Sequence, residues 1–290
     1  MLTPLWYKKG AMSQDRLAEY RVKAHNTAAG SENEIHDDAV ARRHGFRGGL
    51  VPGVTVYAYL TRPLVEALGR AWLERGTASV RFLRPVLDGE EVTVTGAITS
   101  RDARGLTAAL SASTAASGEC ATLEATLPAG TPAPVNPALY REAPLPAERP
   151  AASRAHLASL DALGTPATLY DAACAAEYLA RVADTLALYG GAGGLVHPAF
   201  FLDQANRALD SNVRLPPWIH TQSVVRHLRA ARVGDTLRTL GRVRSLFEKK
   251  GRELVELDLC IVAGERPERP RPVAHVLHTA IYRLPAPAAR

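Results

Sequence analysis

Apolar residues recur at helical spacing from Val54 to Leu68 and again from Ala199 to Asp210, and each stretch predicts a helix that buries one face. A glycine-rich turn precedes both, GGLVPG at 48–53 and GGLVHP at 193–198. Strand-like runs follow each helix. In the first half they cover 77–86, 90–100, 105–115 and 119–127, and in the second 221–231, 235–246, 252–263 and 272–284. Between two of the later runs, Phe247 to Gly251 predicts a hairpin turn with glycine at its end. Each half therefore predicts one helix followed by an antiparallel meander.

The two halves are copies. A shift of 145 residues, half the chain of 290, lays VRFLRPVLDGEEV (80–92) over VRHLRAARVGDTL (225–237). The same shift matches Gly45 with Gly190, Arg62 with Arg207, Gly96 with Gly241 and Ser100 with Ser245 without a gap. Between the copies, residues 128–150 hold seven prolines in 23 residues, which removes ladder donors and predicts a stiff surface connector. The expected organisation is a leader at 1–15, with Met12 an alternative start to Met1, a first unit at 16–127, a connector at 128–160 and a second unit at 161–290. One long helix wrapped by an antiparallel sheet describes an α+β hotdog unit. Two in tandem predict a pseudo-dimeric double hotdog, in which pairing covers the sheet edge and the apolar helix flank that one copy leaves open.

Composition narrows the function classes. Hydrophobic residues make up 47% and charged residues 22%, values of an ordinary folded protein. No apolar run reaches the roughly 18–20 residues of a membrane span, and MLTPLWYKKGAM lacks the apolar core of a secretory signal, so a cytoplasmic protein without a membrane partner is expected. Cys120, Cys174 and Cys260 are odd in number and far apart, which points to core residues rather than disulfides or a metal site. The net charge of +6 is spread over scattered arginines and aromatics are only 6%, a poor match to a nucleic-acid surface. A few of those cations suffice for a small anionic ligand.

The chemistry-bearing stretch is Ser31-Glu32-Asn33-Glu34-Ile35-His36-Asp37-Asp38, followed by Ala41, Gly45-Phe46 and Leu50-Val51-Pro52-Gly53. It resembles the motif of the MaoC-like dehydratases, the family that includes the (R)-specific enoyl-CoA hydratases. Asn33, His36, Asp38, Gly45, Phe46 and Gly53 keep the family's places. The resemblance implies an acyl-thioester substrate carried on coenzyme A or an acyl carrier protein, no separate cofactor or metal, and a histidine that works with an aspartate five positions before it. Two positions depart from the pattern: that aspartate is Ser31, and the histidine before the helix glycine is Pro52. A serine hydroxyl cannot replace the carboxylate as a base at neutral pH. In the second copy, Ala176 and Arg181 stand at the positions of Ser31 and His36, so a single site carried by the first copy is expected.

Several residues have a structural alternative. Ser31 and Glu34 form S-x-x-E, a capping box that would account for both without chemistry. His36 falls in the first turn of the helix so started, with Asn33 one turn before it, and is the expected proton carrier. Asn33 would position water or substrate. Glu32 is the candidate to replace the missing aspartate, while Asp37 and Asp38 suit the positive end of a helix dipole. Gly53, followed by Val54 and Thr55, opens the central helix, where a free N–H can hold a thioester oxygen. Pro52, Arg81, Arg84, Arg226 and Arg229 complete the expected substrate-binding set, with Lys249 and Lys250 as rivals for the phosphate charges of coenzyme A. His197 reads as a loop histidine, and Trp218 with His220 as an anchor for a strand start. The expected function is a hydro-lyase acting on an enoyl or 3-hydroxyacyl thioester. An acyl-thioester hydrolase and a non-catalytic acyl-CoA binder are the alternatives, and assembly into a homodimer is compatible with each.

Overall fold

The computed structural model describes residues 15–136, 139–264 and 271–285, so the expected leader lies outside the described residues except for Asp15. Among the described residues, eleven strands form one antiparallel sheet that wraps two central helices. The first unit contributes β1 (Asp15–Arg16), β2 (Tyr20–Lys23), α1 (Asp38–Arg43), α2 (Gly53–Arg75), β3 (Thr77–Phe82), β4 (Glu91–Asp102), β5 (Gly105–Thr114) and β6 (Gly118–Pro128). The second contributes α3 (Arg154–Ala158), β7 (Ala167–Leu169), α4 (Ala172–Arg181), α5 (Phe200–Asp210), β8 (Ile219–His227), β9 (Thr236–Lys249), β10 (Arg252–Ala263) and β11 (Arg271–Arg283).

Helix α2 is buried on nearly every side from Val54 to Val65, with Tyr57, Leu60 and Leu64 fully enclosed. This explains why its sequence shows little polar face. Gly69 leaves the helical region at φ 59°, so the expected end at Leu68 marks a break, after which the helix resumes to Arg75. The meander β4–β5–β6 forms as expected. The strand after each helix does not join its near end, however, because β3 pairs with β6 and β8 with β11. That placement frees β3 and β8 to pair with each other and fuse the two units into one sheet. Ser79 faces Val224 in this ladder, two residues related by the 145-residue shift, so the repeat's pseudo-twofold axis passes through that pair. At the β9–β10 hairpin Lys250 and Gly251 both have positive φ, the backbone of a two-residue turn suited to strand twist.

The connector is held down on the sheet. Alternate residues Leu257, Leu259 and Ile261 of β10 enter the main core, while Cys260 and Val262 face the other way and pack with Tyr140 and Val135. The Tyr140 hydroxyl donates to Asp258 Oδ1 at 2.7 Å, and that carboxylate also receives His275 at 2.9 Å and Arg242 at 2.9 Å. Residues ahead of 161 also join the core: Ala152 donates to Arg214 O at 2.9 Å and Leu157 is fully buried.

Candidate active site

His36 is placed by its neighbours in sequence. Ile35 is buried with Ala41 and Leu50, and the Leu50 N–H donates to Ile35 O at 3.3 Å, which ties the motif loop to the approach to α2. Gly49 passes so close to the His36 carbonyl that a Cβ would lie 2.2 Å from its oxygen, so only glycine fits there. Asn26 Nδ2 donates to the same carbonyl at 2.9 Å. Asp38 caps this loop: its Oδ1 accepts from Gly49 N at 2.7 Å and its Oδ2 from Arg42 at 2.9 Å.

The imidazole has a fixed tautomer. His36 Nδ1 lies 2.6 Å from Leu50 O, an atom that can only accept, so Nδ1 carries the proton and Nε2 keeps its lone pair. Burial lowers the His36 pKa, against an upward pull from that carbonyl, and the ring is a neutral base at physiological pH. Asn33 Nδ2 donates to Nε2 at 3.3 Å. The rest of the Asn33 amide is committed across the unit boundary, with Nδ2 donating to Trp218 O at 3.1 Å and Oδ1 accepting from Trp218 N at 3.1 Å. It latches the motif loop onto the start of β8 while orienting His36.

The expected capping box does not form. Asn33 caps the short 3-10 turn Glu34–His36 and Asp37 caps α1, accepting from Ala39 N and Val40 N. Ser31 instead closes a turn, donating from N to Ala28 O at 3.0 Å beside Gly30 at φ 76°, and it is exposed. Glu32 is drawn outward by Arg149 at 2.6 Å, an arginine that also holds Asp210. Neither Ser31 nor Glu32 lines the cleft that His36 faces, because the turn and this ion pair hold both at the surface.

That cleft has a volume of about 230 Å³. Its first-unit wall holds Asn33, His36, Phe46, Pro52, Gly53 and Phe82, and its second-unit wall Asn206, Trp218, Ile219, His220, Thr221 and Ile281. None of its lining residues is an Asp or Glu. Pro52 leaves the N-terminus of α2 without a side-chain cap, so the Gly53 and Val54 N–H groups have no partner within the helix. A Cβ on Gly53 would sit 3.1 Å from the Phe82 ring. Val54 and Thr55 point elsewhere: Val54 is in the core and Thr55 Oγ1 pairs with Thr27 Oγ1 at 2.8 Å.

The expected arginines divide. Arg84 and Arg252 line the cleft, and a groove sharing Phe82, Leu83, Thr221, Arg252 and Ile281 with it adds Arg81, Lys249 and Lys250. No carboxylate lines that groove. Arg226 and Arg229 fall outside both, because Arg226 lies near the far end of β8 from Thr221, donating to Ala133 O of the connector at 2.9 Å, and Arg229 lies past that end.

At the corresponding place the second unit is filled. Tyr178 and Arg181 occupy the repeat positions of Asn33 and His36, and Tyr178, Tyr189, Phe200 and His197 pack ring against ring. His197 is fully buried, with Nε2 on Asp184 at 3.2 Å and Nδ1 accepting from Ala199 N at 3.2 Å. His227, at the repeat position of Phe82, packs against Trp72 and Phe201.

Comparison of the whole chain agrees with this architecture. It is similar to a MaoC domain protein from Chloroflexus aurantiacus, with a TM-score of 0.64 at 12% identity over 94% of this chain and 95% of that one. It is also similar to a Mycobacterium tuberculosis protein described as having a double hotdog fold (TM-score 0.60, 16% identity, 91% and 96% covered). This chain is a double hotdog. The chain is similar as well to a protein described as an oleoyl thioesterase from Lactobacillus plantarum (TM-score 0.50, 11% identity, 93% and 98% covered). No protein-family model and no curated protein sequence matches the chain. The double hotdog seen here has no helix among the described residues long and apolar enough to cross a membrane.

The sequence contained Asn33, His36, Phe46, Pro52 and Gly53 of the first-unit wall in one run, with Phe82 outside it. It did not reveal that His220, Trp218, Thr221 and Ile281 form the opposite wall, since they reach His36 only through the β3–β8 pairing.

Proposed function

We propose that the cleft binds an acyl thioester and that His36 moves the proton when water is added to, or removed from, the Cα–Cβ bond of the acyl chain. The observation that carries this reading is the His36 tautomer: Leu50 O holds the Nδ1 proton at 2.6 Å, so Nε2, approached by the Asn33 amide at 3.3 Å, keeps the basic lone pair in the cleft beside the open N-terminus of α2. In the hydration direction the water oxygen bonds to Cβ while its proton passes to Nε2. The imidazolium then delivers that proton to Cα. The Gly53 N–H, with the helix dipole behind it, offers a donor to the thioester oxygen as enolate charge develops there. The similarity to a MaoC domain protein supports the reaction class. The basic groove at the mouth, with Arg81, Lys249, Lys250 and Arg252, matches the phosphates of a coenzyme A tail and favours that carrier over a protein.

One observation favours a second reading, hydrolysis of the thioester. The cleft lacks the carboxylate that the resemblance leads one to expect, and attack of water on the carbonyl needs only one base and one oxyanion donor. Both readings are tested together by supplying short and medium enoyl-CoA and saturated acyl-CoA substrates to the wild type and to His36→Ala. Hydration without thiol release supports the first reading, thiol release the second, and turnover unchanged in His36→Ala removes this site from either. Tight acyl-CoA binding with no product would leave a binding protein.

A further inference from the structure

One side chain on the cleft wall has its whole hydrogen-bonding capacity unused. Asn206 sits half-buried on α5 and lines the cleft, yet no group among the described residues bonds either end of its amide. Only Oδ1 is closed off from solvent, so Nδ2 and its two hydrogens stay within reach of whatever fills the cleft. Asp210, one turn further along α5, shows which way this face points. Arg149 holds Asp210 at 3.3 Å and Glu32 at 2.6 Å, and Glu32 adjoins Asn33 in the motif loop. Asn206 therefore stands on the side of α5 turned toward the loop that carries His36.

The other polar side chains of the cleft are committed elsewhere. Asn33, expected from the sequence to position water or substrate, gives its amide to Trp218 and His36. Thr221 Oγ1 donates to Thr279 O at 3.1 Å, Cys120 Sγ to Gly118 O at 3.3 Å, and His220 Nε2 lies 2.8 Å from Ser223 Oγ. Arg84 reaches the β5–β6 turn, donating to Ser117 O at 2.9 Å, and Arg252 stands where the cleft meets the basic groove. Chemistry at Cβ needs a base, a donor for the thioester oxygen, and a group to hold the oxygen that joins or leaves Cβ. His36 Nε2 and the Gly53 N–H fill the first two places, and no carboxylate lines the cleft to fill the third.

The repeat sharpens the contrast. Thr61, at the position of Asn206 on α2, is fully buried and returns its hydroxyl to Ala58 O at 3.0 Å. The copy of this position that lines the cleft is the one left unsatisfied. An unpaired, half-buried amide burdens a fold unless a ligand completes it.

We propose that Asn206 holds the oxygen at C3 of the acyl chain, donating from Nδ2 to the 3-hydroxyl group on which His36 acts. This rests on the thioester reading above. Asn206 gives up no proton: the one that moves travels by way of His36 Nε2, and the amide fixes where the C3 oxygen sits. The site thereby distinguishes a 3-hydroxyacyl thioester from its saturated counterpart, a choice that the apolar walls alone would not make.

The test compares two ligands in His36→Ala protein, which removes turnover. Calorimetric titration is expected to show 3-hydroxyhexanoyl-CoA binding about tenfold tighter than hexanoyl-CoA. Adding Asn206→Leu or Asn206→Ala should abolish that preference while leaving the affinity for hexanoyl-CoA nearly unchanged. Neither substitution should lower the thermal midpoint, since the amide it removes holds no bond. In the otherwise wild-type chain, Asn206→Leu should reduce kcat for enoyl-CoA hydration about tenfold or more. A preference that persists in both variants, an equal loss of both ligands, or a lower midpoint in both variants would overturn the proposal and leave the thioester reading standing. A wild-type protein that binds neither ester would overturn the thioester reading, and the proposal with it.

Discussion

His227 offers the sharpest test of how the second unit is packed. It is fully buried, neither ring nitrogen has a partner, and it lies against Trp72 at 4.7 Å and Phe201 at 5.7 Å. Burial lowers its pKa to about 3. Replacing it by Leu removes a buried donor and acceptor, a gain of about 1–3 kcal/mol, less up to about 1.5 kcal/mol for imperfect shape. A net stabilisation of about 1 kcal/mol is expected at pH 7.5. In the unfolded chain the imidazole titrates near 6.5, so the unfolded state binds protons that the native state refuses, and native stability falls as pH drops from about 6.5 toward 3. At pH 5.0 that difference is about 1.5 units, or about 2 kcal/mol for this residue. The advantage of His227→Leu should therefore widen from about 1 kcal/mol at pH 7.5 to about 3 kcal/mol at pH 5.0. Urea unfolding at both pH values measures it. His278, also with a pKa of about 3, and His220 add wild-type acid lability in the same direction and remain in the variant. A gap that does not grow on acidification would show that His227 is hydrated or paired in solution, and the account of the filled second site would fail.

Asn33→Ala should cost about 1–3 kcal/mol, because the Trp218 N–H and C=O lose their partners at a residue only 7% exposed; chemical denaturation checks this, and an unchanged midpoint would deny the latch. Gly53→Ala places a Cβ 3.1 Å from Phe82 and narrows the cleft where the thioester oxygen would sit, so acyl-CoA binding or turnover should fall at least about tenfold while thermal stability changes little; titration calorimetry and rates separate the two. Replacing Lys249, Lys250 and Arg252 by Glu should raise KM for a coenzyme A thioester about tenfold or more and leave the matching pantetheine thioester unaffected, with the wild-type preference shrinking in high salt.

The repeat made the fold legible because helix and strand periods survive in each copy separately. The strand runs at 105–115 and 252–263 agree with β5 and β10 to within a residue. What stayed hidden depends on contacts distant in the chain. Nothing local marks β3 for pairing with β8, since both are ordinary half-buried strands whose partner is set by the packing of the two helices. At the site, the run that carries Asn33 and His36 stood out in the sequence, but the bonds from the Asn33 amide to Trp218 did not, as they span 185 residues. The S-x-x-E box failed for a local reason. Asn33 and Asp37, two and six residues further along, cap the 3-10 turn and α1, and with them in place Ser31 is left outside the helix start.

Duplication in one chain explains the division of labour. In a symmetric pair of identical units, every substitution on a second-unit wall would also alter the matching place beside the other cleft. Here β8 carries Ser223 where β3 carries Ala78, and β11 carries His278 where β6 carries Ala125. The second unit is thus free to fill its own site with Tyr178, Tyr189, Phe200 and His227, groups that a working cleft could not hold. The same freedom places His220, Ser223 and His278, joined through the Ser223 hydroxyl, at the wall of the remaining cleft without a matching set beside the other site. A half-chain that dimerised would lose both advantages at once: it would bring either two motif loops facing Ala78 and Ala125, or two histidine walls facing Arg181. The cleft of this chain therefore takes its walls from two unlike halves, which the connector joins and the Tyr140–Asp258 clamp keeps seated on the sheet.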